Sequence, residues 1–232
     1  NIGAYGIEVS ERIYSINALD LKNKKLVKLA ADECNFDYRN SLFKRQMLHD
    51  GWYNARYFIV SVDFTLWPDN QSPLVTSYQN VKNEIINHPT PKKVARAIYK
   101  IRNKKFPNRE SLPNLGSFFQ NPIINNALAS SLKIKYPEIP IFEIKNHGTK
   151  LSAAWLIEKC NFKGHRVGDA GIYENHALIL VNHGKATYFE VLELTKKIQK
   201  AVFEHFGIWL SIEPSVICFS EKLVSQLRKE PY

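Results

Sequence analysis

Methionine, cysteine and the usual glycine signatures are scarce in this sequence, and each shortage removes a class of chemistry. One Met (Met47) and three Cys (Cys34, Cys160, Cys218) occur among 232 residues. Three widely spaced thiols suit neither a disulfide framework nor a zinc site, so all three are expected to be buried thiols in a reducing cytosol. No stretch approaches the roughly 18 consecutive apolar residues of a spanning helix, and no membrane partner is expected. Ten Gly and eleven Pro without a period exclude collagen-like and low-complexity architectures. The glycines form neither GxGxxG nor GxxxxGK, which argues against a classical dehydrogenase and an NTPase. The seven histidines, His49, His88, His147, His165, His176, His183 and His205, lack metal-ligand spacing, and no metal is expected. Acidic residues are short too: 22 Asp and Glu against 32 Lys and Arg leave a formal charge of +10. The excess favours an anionic partner, whether nucleic acid, nucleotide or phosphorylated metabolite.

What is present suits a globular protein. At 44% hydrophobic and 23% charged, the chain can bury a sizeable core in one or two domains. It opens Asn1-Ile2-Gly3-Ala4-Tyr5-Gly6 without an initiator Met or a signal segment, so an upstream portion is expected, and a site shared with it would be incomplete. Lys92, Lys93, Arg96, Lys100, Arg102, Lys104 and Lys105 run without an intervening acid, as either a solvated helix face or an anion-binding surface.

Residues 7–30 alternate apolar and polar around Asp20-Leu21-Lys22-Asn23, the pattern of antiparallel strands. In 57–66, Phe58, Val60, Val62, Phe64 and Leu66 take one face of a half-buried strand and Ser61, Asp63 and Thr65 the other. Thr90 and Pro91 start a helix with Val94, Ala97, Ile98 and Ile101 facing a core, stopped by Phe106-Pro107-Asn108. Pro107, Pro113, Pro122 and Asn114-Leu115-Gly116 make 107–122 a loop and a candidate domain boundary. Helices are expected over 122–134 and 151–161, and a strand over 177–182. Thr187 and Glu190 form a capping box for a long helix closed by Gly207, with Val191, Leu194, Ile198, Val202 and Phe206 buried. A strand near 208–213 and a short helix near 220–229 complete an α+β fold, strand-rich first and helix-rich later.

Taken singly, the polar candidates are modest. Ser117 follows Gly116 in a tight loop but lacks the second Gly of a nucleophile elbow. Arg39 stands beside Tyr38, and its planar fork suits either a bound carboxylate or a surface ion pair. Glu213 lies between Ile212 and Pro214, either half-exposed or held for a purpose.

In order, the segments are more specific. Asn1-Ile2-Gly3-Ala4-Tyr5-Gly6-Ile7-Glu8, Phe36-Asp37-Tyr38-Arg39-Asn40-Ser41-Leu42-Phe43-Lys44, Gly116-Ser117-Phe118-Phe119-Gln120-Asn121-Pro122, Ala154-Trp155-Leu156-Ile157-Glu158 and His176-Ala177-Leu178 resemble the UDP-N-acetylenolpyruvoylglucosamine reductase (MurB) family of peptidoglycan synthesis, from residue 1 to about 219. The resemblance implies a monomeric, cytoplasmic flavoenzyme carrying FAD and using NADPH to reduce the enolpyruvyl ether of a UDP-sugar. It implies the remainder of a strand-rich FAD-binding domain over 1–107, a substrate-binding α+β domain over 108–213 and a tail over 214–232. Part of the flavin-binding region, with its Gly-rich phosphate loop, would lie upstream.

By its match to the family's motifs, Arg39 would stabilise anionic charge, Ser117 would give a proton to the carbanion, and Glu213 would orient substrate or act as acid. Tyr78, Arg102, Lys105, Asn121 and His176 would contact the UDP-sugar. Gly3, Ala4, Tyr5 and Gly6 would lie against the flavin, where small residues let backbone amides approach the ring. Three features depart from the family pattern: the upstream part, Pro214-Ser215-Val216 after Glu213, and Ala154 where Gly is common. A two-residue slip would place Ser215 at the catalytic carboxylate instead. Two other readings compete: a basic nucleic-acid-binding module using Lys92 to Lys105 with Tyr99 and Phe106, and an inactive fragment of the reductase.

Overall fold

The alternating residues ahead of position 31 form the first sheet of a computed structural model that describes residues 1–50, 55–68, 71–85, 87–144 and 148–216. A two-stranded hairpin, β1 (Gly3–Ala4) and β2 (Ile7–Glu8), leads through a 3-10 turn into β3 (Ile13–Asp20) and β4 (Lys25–Ala30). α1 (Leu42–Asp50) and β5 (Tyr57–Phe64) follow, and the antiparallel sheet has the order β4-β3-β5. Ile16, Ala18 and Cys34 are buried together, packed by Val27, Leu29, Phe36, Phe43, Tyr57 and Val62.

β5 departs from simple alternation. A register shift separates Ala18↔Ile59 from Asn17↔Ser61, leaving Val60 as the extra residue. Ile59 and Val62 therefore oppose the core residues Ala18 and Ile16, while Phe58, Val60, Phe64 and Leu66 are exposed at 64, 57, 50 and 83%. The expected apolar face is thus solvent-facing at four of its five positions. Two helices complete this unit, α2 (Gln79–Glu84) and α3 (Pro91–Lys105). The amide of Lys93 donates to Thr90 Oγ1, and Val94, Ala97 and Ile101 are buried against Val81, as the spacing of the apolar positions predicts.

The chain divides into two units, the first ending at Arg102 and the second beginning at Asn103. In the second, β6 (Asn114–Ser117), β7 (Ile123–Ile124), α4 (Asn126–Lys135), β8 (Ile141–Ile144), β9 (Gly148–Leu151) and α5 (Ala153–Lys159) precede β10 (Arg166–Val167), β11 (Ala170–Ile172), β12 (Ile179–Asn182) and α6 (Tyr188–Phe206). Two antiparallel sheets result, ordered β10-β11-β12-β6 and β7-β9-β8. The stretch expected to be only a loop therefore contributes β6, pairing with a strand more than sixty residues later. The expected strand near 208–213 reduces to one bridge, Phe119↔Ile212. The helix expected near 220–229 and Cys218 lie outside the described residues.

α4 starts at Asn126, later than expected, because Asn125 Oδ1 accepts the Leu128 amide and caps it. α6 has the anticipated Thr187–Glu190 box and a left-handed Gly207 at φ 68°. Its buried face is Leu192, Leu194, Ile198, Val202 and Phe206, with Val191 only partly covered. Each such side chain contributes about 1.5–3 kcal/mol by leaving water. Together with Leu156, Ile157, Leu178 and Leu180 they make the larger core, which carries β6 and its neighbours. The architecture is α+β with antiparallel sheets.

Candidate active site

In the first unit, the candidate residues begin at the β1–β2 hairpin. Ala4 pairs with Ile7, and the two residues between them, Tyr5 and Gly6, both take left-handed backbone at φ 54° and 83°. That is the primed turn whose twist suits a two-residue hairpin. The turn puts the Tyr5 ring edge-to-face with Tyr78, centroids 5.9 Å apart. Arg102 hydrogen-bonds the Tyr5 phenol; burial raises the phenol's pKa and the guanidinium opposes that rise. Three residues drawn from separate sequence segments, Tyr5, Tyr78 and Arg102, are thereby brought together. Tyr78 is 46% exposed just ahead of α2.

Arg39 lies at the tip of a tight turn closed by reciprocal amide–carbonyl bonds between Asp37 and Asn40. Its φ of 51° is a left-handed conformation without glycine, a backbone cost of order 1–3 kcal/mol that surrounding contacts must offset. The guanidinium sits over the Tyr38 ring at 4.8 Å and donates to the Glu8 carboxylate and the Gly3 carbonyl. Elsewhere in this unit the basic run is partly spent on its surroundings. Lys93 Nζ donates to the His88 carbonyl and Lys100 pairs with Glu84.

In the second unit, Ser117 ends β6 and is exposed, while Phe118 and Phe119 behind it are buried. Phe118 N donates to Leu178 O. Beyond it, two segments ninety residues apart run antiparallel: Gln120 N donates to Ser211 O at 2.9 Å, and Glu213 N donates to Phe118 O at 2.8 Å. This pairing attaches Glu213 to the residue next to Ser117. Asn121 has a structural task, since its Oδ1 accepts the Ala153 amide at 2.9 Å at the start of α5.

His176 Nδ1 accepts the Leu178 amide at 3.3 Å, and the ring stacks on Phe106. Burial lowers the imidazole pKa, and the charges of Lys105 and Lys163 lower it further. Lys163 is a cation that sequence reasoning passed over; it also pairs with Glu158 at 2.9 Å. Nothing in Phe162-Lys163-Gly164 marks it, because its relation to His176 exists only after folding. A groove of about 740 Å³ beside α4, lined by Asn126, Ser130, Lys133, Glu143 and Thr149 among others, contains none of the expected site residues. Among the described residues, no group of three His, Cys, Asp or Glu could hold a metal, and no helix is long and apolar enough to cross a membrane.

A family model described as "UDP-N-acetylenolpyruvoylglucosamine reductase, C-terminal domain" matches residues 107–217. Curated relatives named UDP-N-acetylenolpyruvoylglucosamine reductase include a Flavobacterium johnsoniae protein, 40% identical over 221 residues, and a Xylella fastidiosa (strain 9a5c) protein, 42% identical over 219 residues. The alignments cover 94% and 92% of this chain, which spans 64% and 59% of the length of those relatives. Among solved structures, the crystal structure of UDP-N-acetylenolpyruvylglucosamine reductase (MurB) from Thermus caldophilus aligns with a TM-score of 0.56 at 20% identity, over 93% of this chain and 57% of that one. That likeness bears on the fold alone.

Proposed function

As this chain belongs to the UDP-N-acetylenolpyruvoylglucosamine reductase family, we propose that it forms part of a cytoplasmic flavoenzyme of peptidoglycan synthesis. Its reaction is the NADPH-dependent reduction of UDP-N-acetylglucosamine enolpyruvate to UDP-N-acetylmuramate, a step toward cell-wall biogenesis, cell shape and division. The enzyme works as a monomer and takes neither nucleic acid nor membrane as partner.

The residues present fit a flavin at the outer edge of the first hairpin. Ala4 and Gly6 are exposed there and carry no side chain beyond a methyl, so a flat ring system can reach the backbone. Tyr5 supports that turn, and Gly3 lies just before it. FAD, when bound, supplies the hydride it has accepted from NADPH, which adds to the terminal enolpyruvyl carbon.

The chain's own residues manage the charge and the proton. Negative charge develops on the neighbouring carbon and its carboxylate, and the Arg39 guanidinium stabilises it through a planar, permanently charged fork. Ser117 Oγ–H then gives its proton to that carbon, completing the lactyl ether. Serine is a weak acid in water, so nearby cations must lower the cost of its alkoxide. Glu213 orients the substrate beside Ser117 or serves as the acid itself. Tyr78, Arg102, Lys105, Asn121 and His176 bind the UDP-sugar, the cations meeting its diphosphate, and Lys163 joins them.

One observation carries this reading: the hydrogen bond from Glu213 N to Phe118 O, which ties the proposed carboxylate to the Ser117 strand. The test is Ser117→Ala in the flavin-loaded enzyme, followed by stopped-flow absorbance. Flavin reduction by NADPH should be nearly unchanged, while reduction of the enolpyruvyl substrate slows about 10²-fold or more, as for loss of a general acid. Parental turnover by this variant would overturn the assignment.

A further inference from the structure

The Arg39 guanidinium is gripped by the hairpin that opens the chain. Nη1 donates to both carboxylate oxygens of Glu8, at 3.2 and 3.0 Å, and Nη2 donates to the Gly3 carbonyl. Gly3 and Glu8 are register partners across β1 and β2, so two neighbouring strands present the two acceptors side by side. The Glu8 backbone is tied in turn, its amide donating to Glu11 Oε1 at 3.3 Å. The ion pair is mostly covered, with the Arg39 side chain 18% exposed and that of Glu8 33%. Such a charge-assisted pair is held more firmly than one in open solvent.

Gly3 makes the grip possible. A Cβ at this position would stand 2.3 Å from Glu8 Cδ and Oε1 and 2.4 Å from Oε2, so the carboxylate occupies the room that a side chain would take. Arg39 itself sits on left-handed backbone, at the end of a long stem with many rotamers. Within the turn the Tyr38 ring, 4.8 Å from the guanidinium carbon, limits its tilt, and the Glu8 carboxylate and Gly3 carbonyl add a hold from outside it.

We infer that Glu8 is the positioning residue for Arg39: its carboxylate, seated over Gly3, fixes the plane and direction of the guanidinium before substrate arrives. This rests on the reading of Arg39 as the anion stabiliser. An acidic partner would ordinarily weaken an anion site, because it offsets the positive charge. Its value lies in preorganisation, since a guanidinium already aimed loses no freedom when charge develops on the substrate. The two contributions separate kinetically. Positioning acts on kcat, whereas the offsetting charge acts on ground-state binding and so on KM.

The test uses the flavin-loaded enzyme with NADPH and the enolpyruvyl substrate. Glu8→Ala should lower kcat about 10²-fold, the loss typical of a slightly misplaced catalytic group, while NADPH-dependent flavin reduction holds its rate. Glu8→Gln keeps an accepting oxygen and removes the charge, so it should recover most of kcat and lower KM. Glu8→Ala should add nothing in an Arg39→Ala background, as expected of two residues acting as one unit. If Glu8→Ala itself does not fold, Glu8→Gln and Glu8→Asp carry the test, with the shorter Asp the slower of the two. Parental kcat in Glu8→Ala, or a full further loss on top of Arg39→Ala, would overturn the inference while leaving the role of Arg39 intact. Parental turnover by Arg39→Ala alone would instead remove the Arg39 reading, and this inference with it.

Discussion

His176 stacks its imidazole on the ring of Phe106, with centroids 6.1 Å apart and planes inclined by 21°. Burial, and after it the cations Lys105 and Lys163, hold the imidazole pKa below the ordinary 6.5 and favour the neutral ring. Its Nδ1 accepts the Leu178 amide, which in the neutral ring leaves the proton on Nε2 and makes that atom a donor. As pH falls below about 6.5, the unfolded chain takes up a proton that the folded ring refuses, so stability declines with acidification and is level above that value. Urea unfolding between pH 7.5 and 5.5 should show a steeper loss for the parent than for His176→Gln. Parallel curves would contradict the lowered pKa.

Asp20 also loses stability on acidification, but at lower pH and because its charged form is the one the fold favours. Its Oδ1 accepts the amides of Lys22 and Asn23 at 3.0 and 3.1 Å, and its Oδ2 accepts from Arg56 and from Asn23 Nδ2. The Arg56 guanidinium first, and the Asn23 bonds after it, hold the carboxyl down at about 2. The stability it contributes is complete above the unfolded value of about 3.9 and is lost as pH falls toward 2. Asp20→Asn should lower the thermal midpoint at pH 7 and flatten its decline between pH 4 and 2. An unchanged acid transition would show that the β3–β4 turn does not depend on this charge.

What could be read directly from the sequence was local. Thr187, Glu190 and Gly207 predict the ends of α6 because caps are settled within one turn of the chain, and Thr90-Pro91 does the same for α3. β6 was hidden because its residues sit among prolines and a glycine, and its hydrogen-bonding partners come from β12, far along the chain. The faces of β5 were misread because its pairing with β3 shifts register twice, at Val60 and again between Ser15↔Asp63 and Ile13↔Phe64, so no single alternation runs through the strand. Strands as short as β10 and β11 carry too few residues for any period to be seen.

The site was legible as strings and not as geometry. Tyr38-Arg39 and Gly116-Ser117 could be picked out by resemblance, yet nothing in the spacing of Glu8 and Arg39 predicts their ion pair. Asn121, expected on substrate, also caps the segment that starts α5, a second task visible only once Ala153 is placed beside it. Lys163 was missed for the same reason: its charge matters through His176, thirteen positions later.

Arg39→Lys tests the fork itself. An ammonium group offers a point charge at one place, so it cannot satisfy the Glu8 carboxylate and the Gly3 carbonyl while also facing substrate in the plane a guanidinium defines. Steady-state assays should show kcat/KM lower by roughly 10²–10³-fold, the range found on removing one donor to a developing anion. A loss of less than tenfold would mean that charge alone suffices.

Gly168→Ala should uncouple the β10–β11 turn from α6. Gly168 takes φ 56°, and a Cβ there would stand 1.7 Å from Glu190 Oε1. That carboxylate does two tasks: Oε1 accepts the Asp169 amide in the turn, and Oε2 accepts the amide and hydroxyl of Thr187 at the start of α6. A methyl at position 168 therefore meets an unfavourable backbone conformation and pushes the capping carboxylate out of place. The left-handed backbone alone costs about 1–2 kcal/mol with a side chain present, or roughly 2–8 °C in midpoint for a chain of this size. Because the displaced group is Glu190, Gly168→Ala and Glu190→Ala should be less than additive when combined, while Gly164→Ala, whose Cβ meets nothing within 4 Å at a similar φ of 76°, should show only the backbone cost. Differential scanning of the three single variants and the double variant decides it. Equal losses at positions 164 and 168, with full additivity, would mean that Glu190 does not hold the turn.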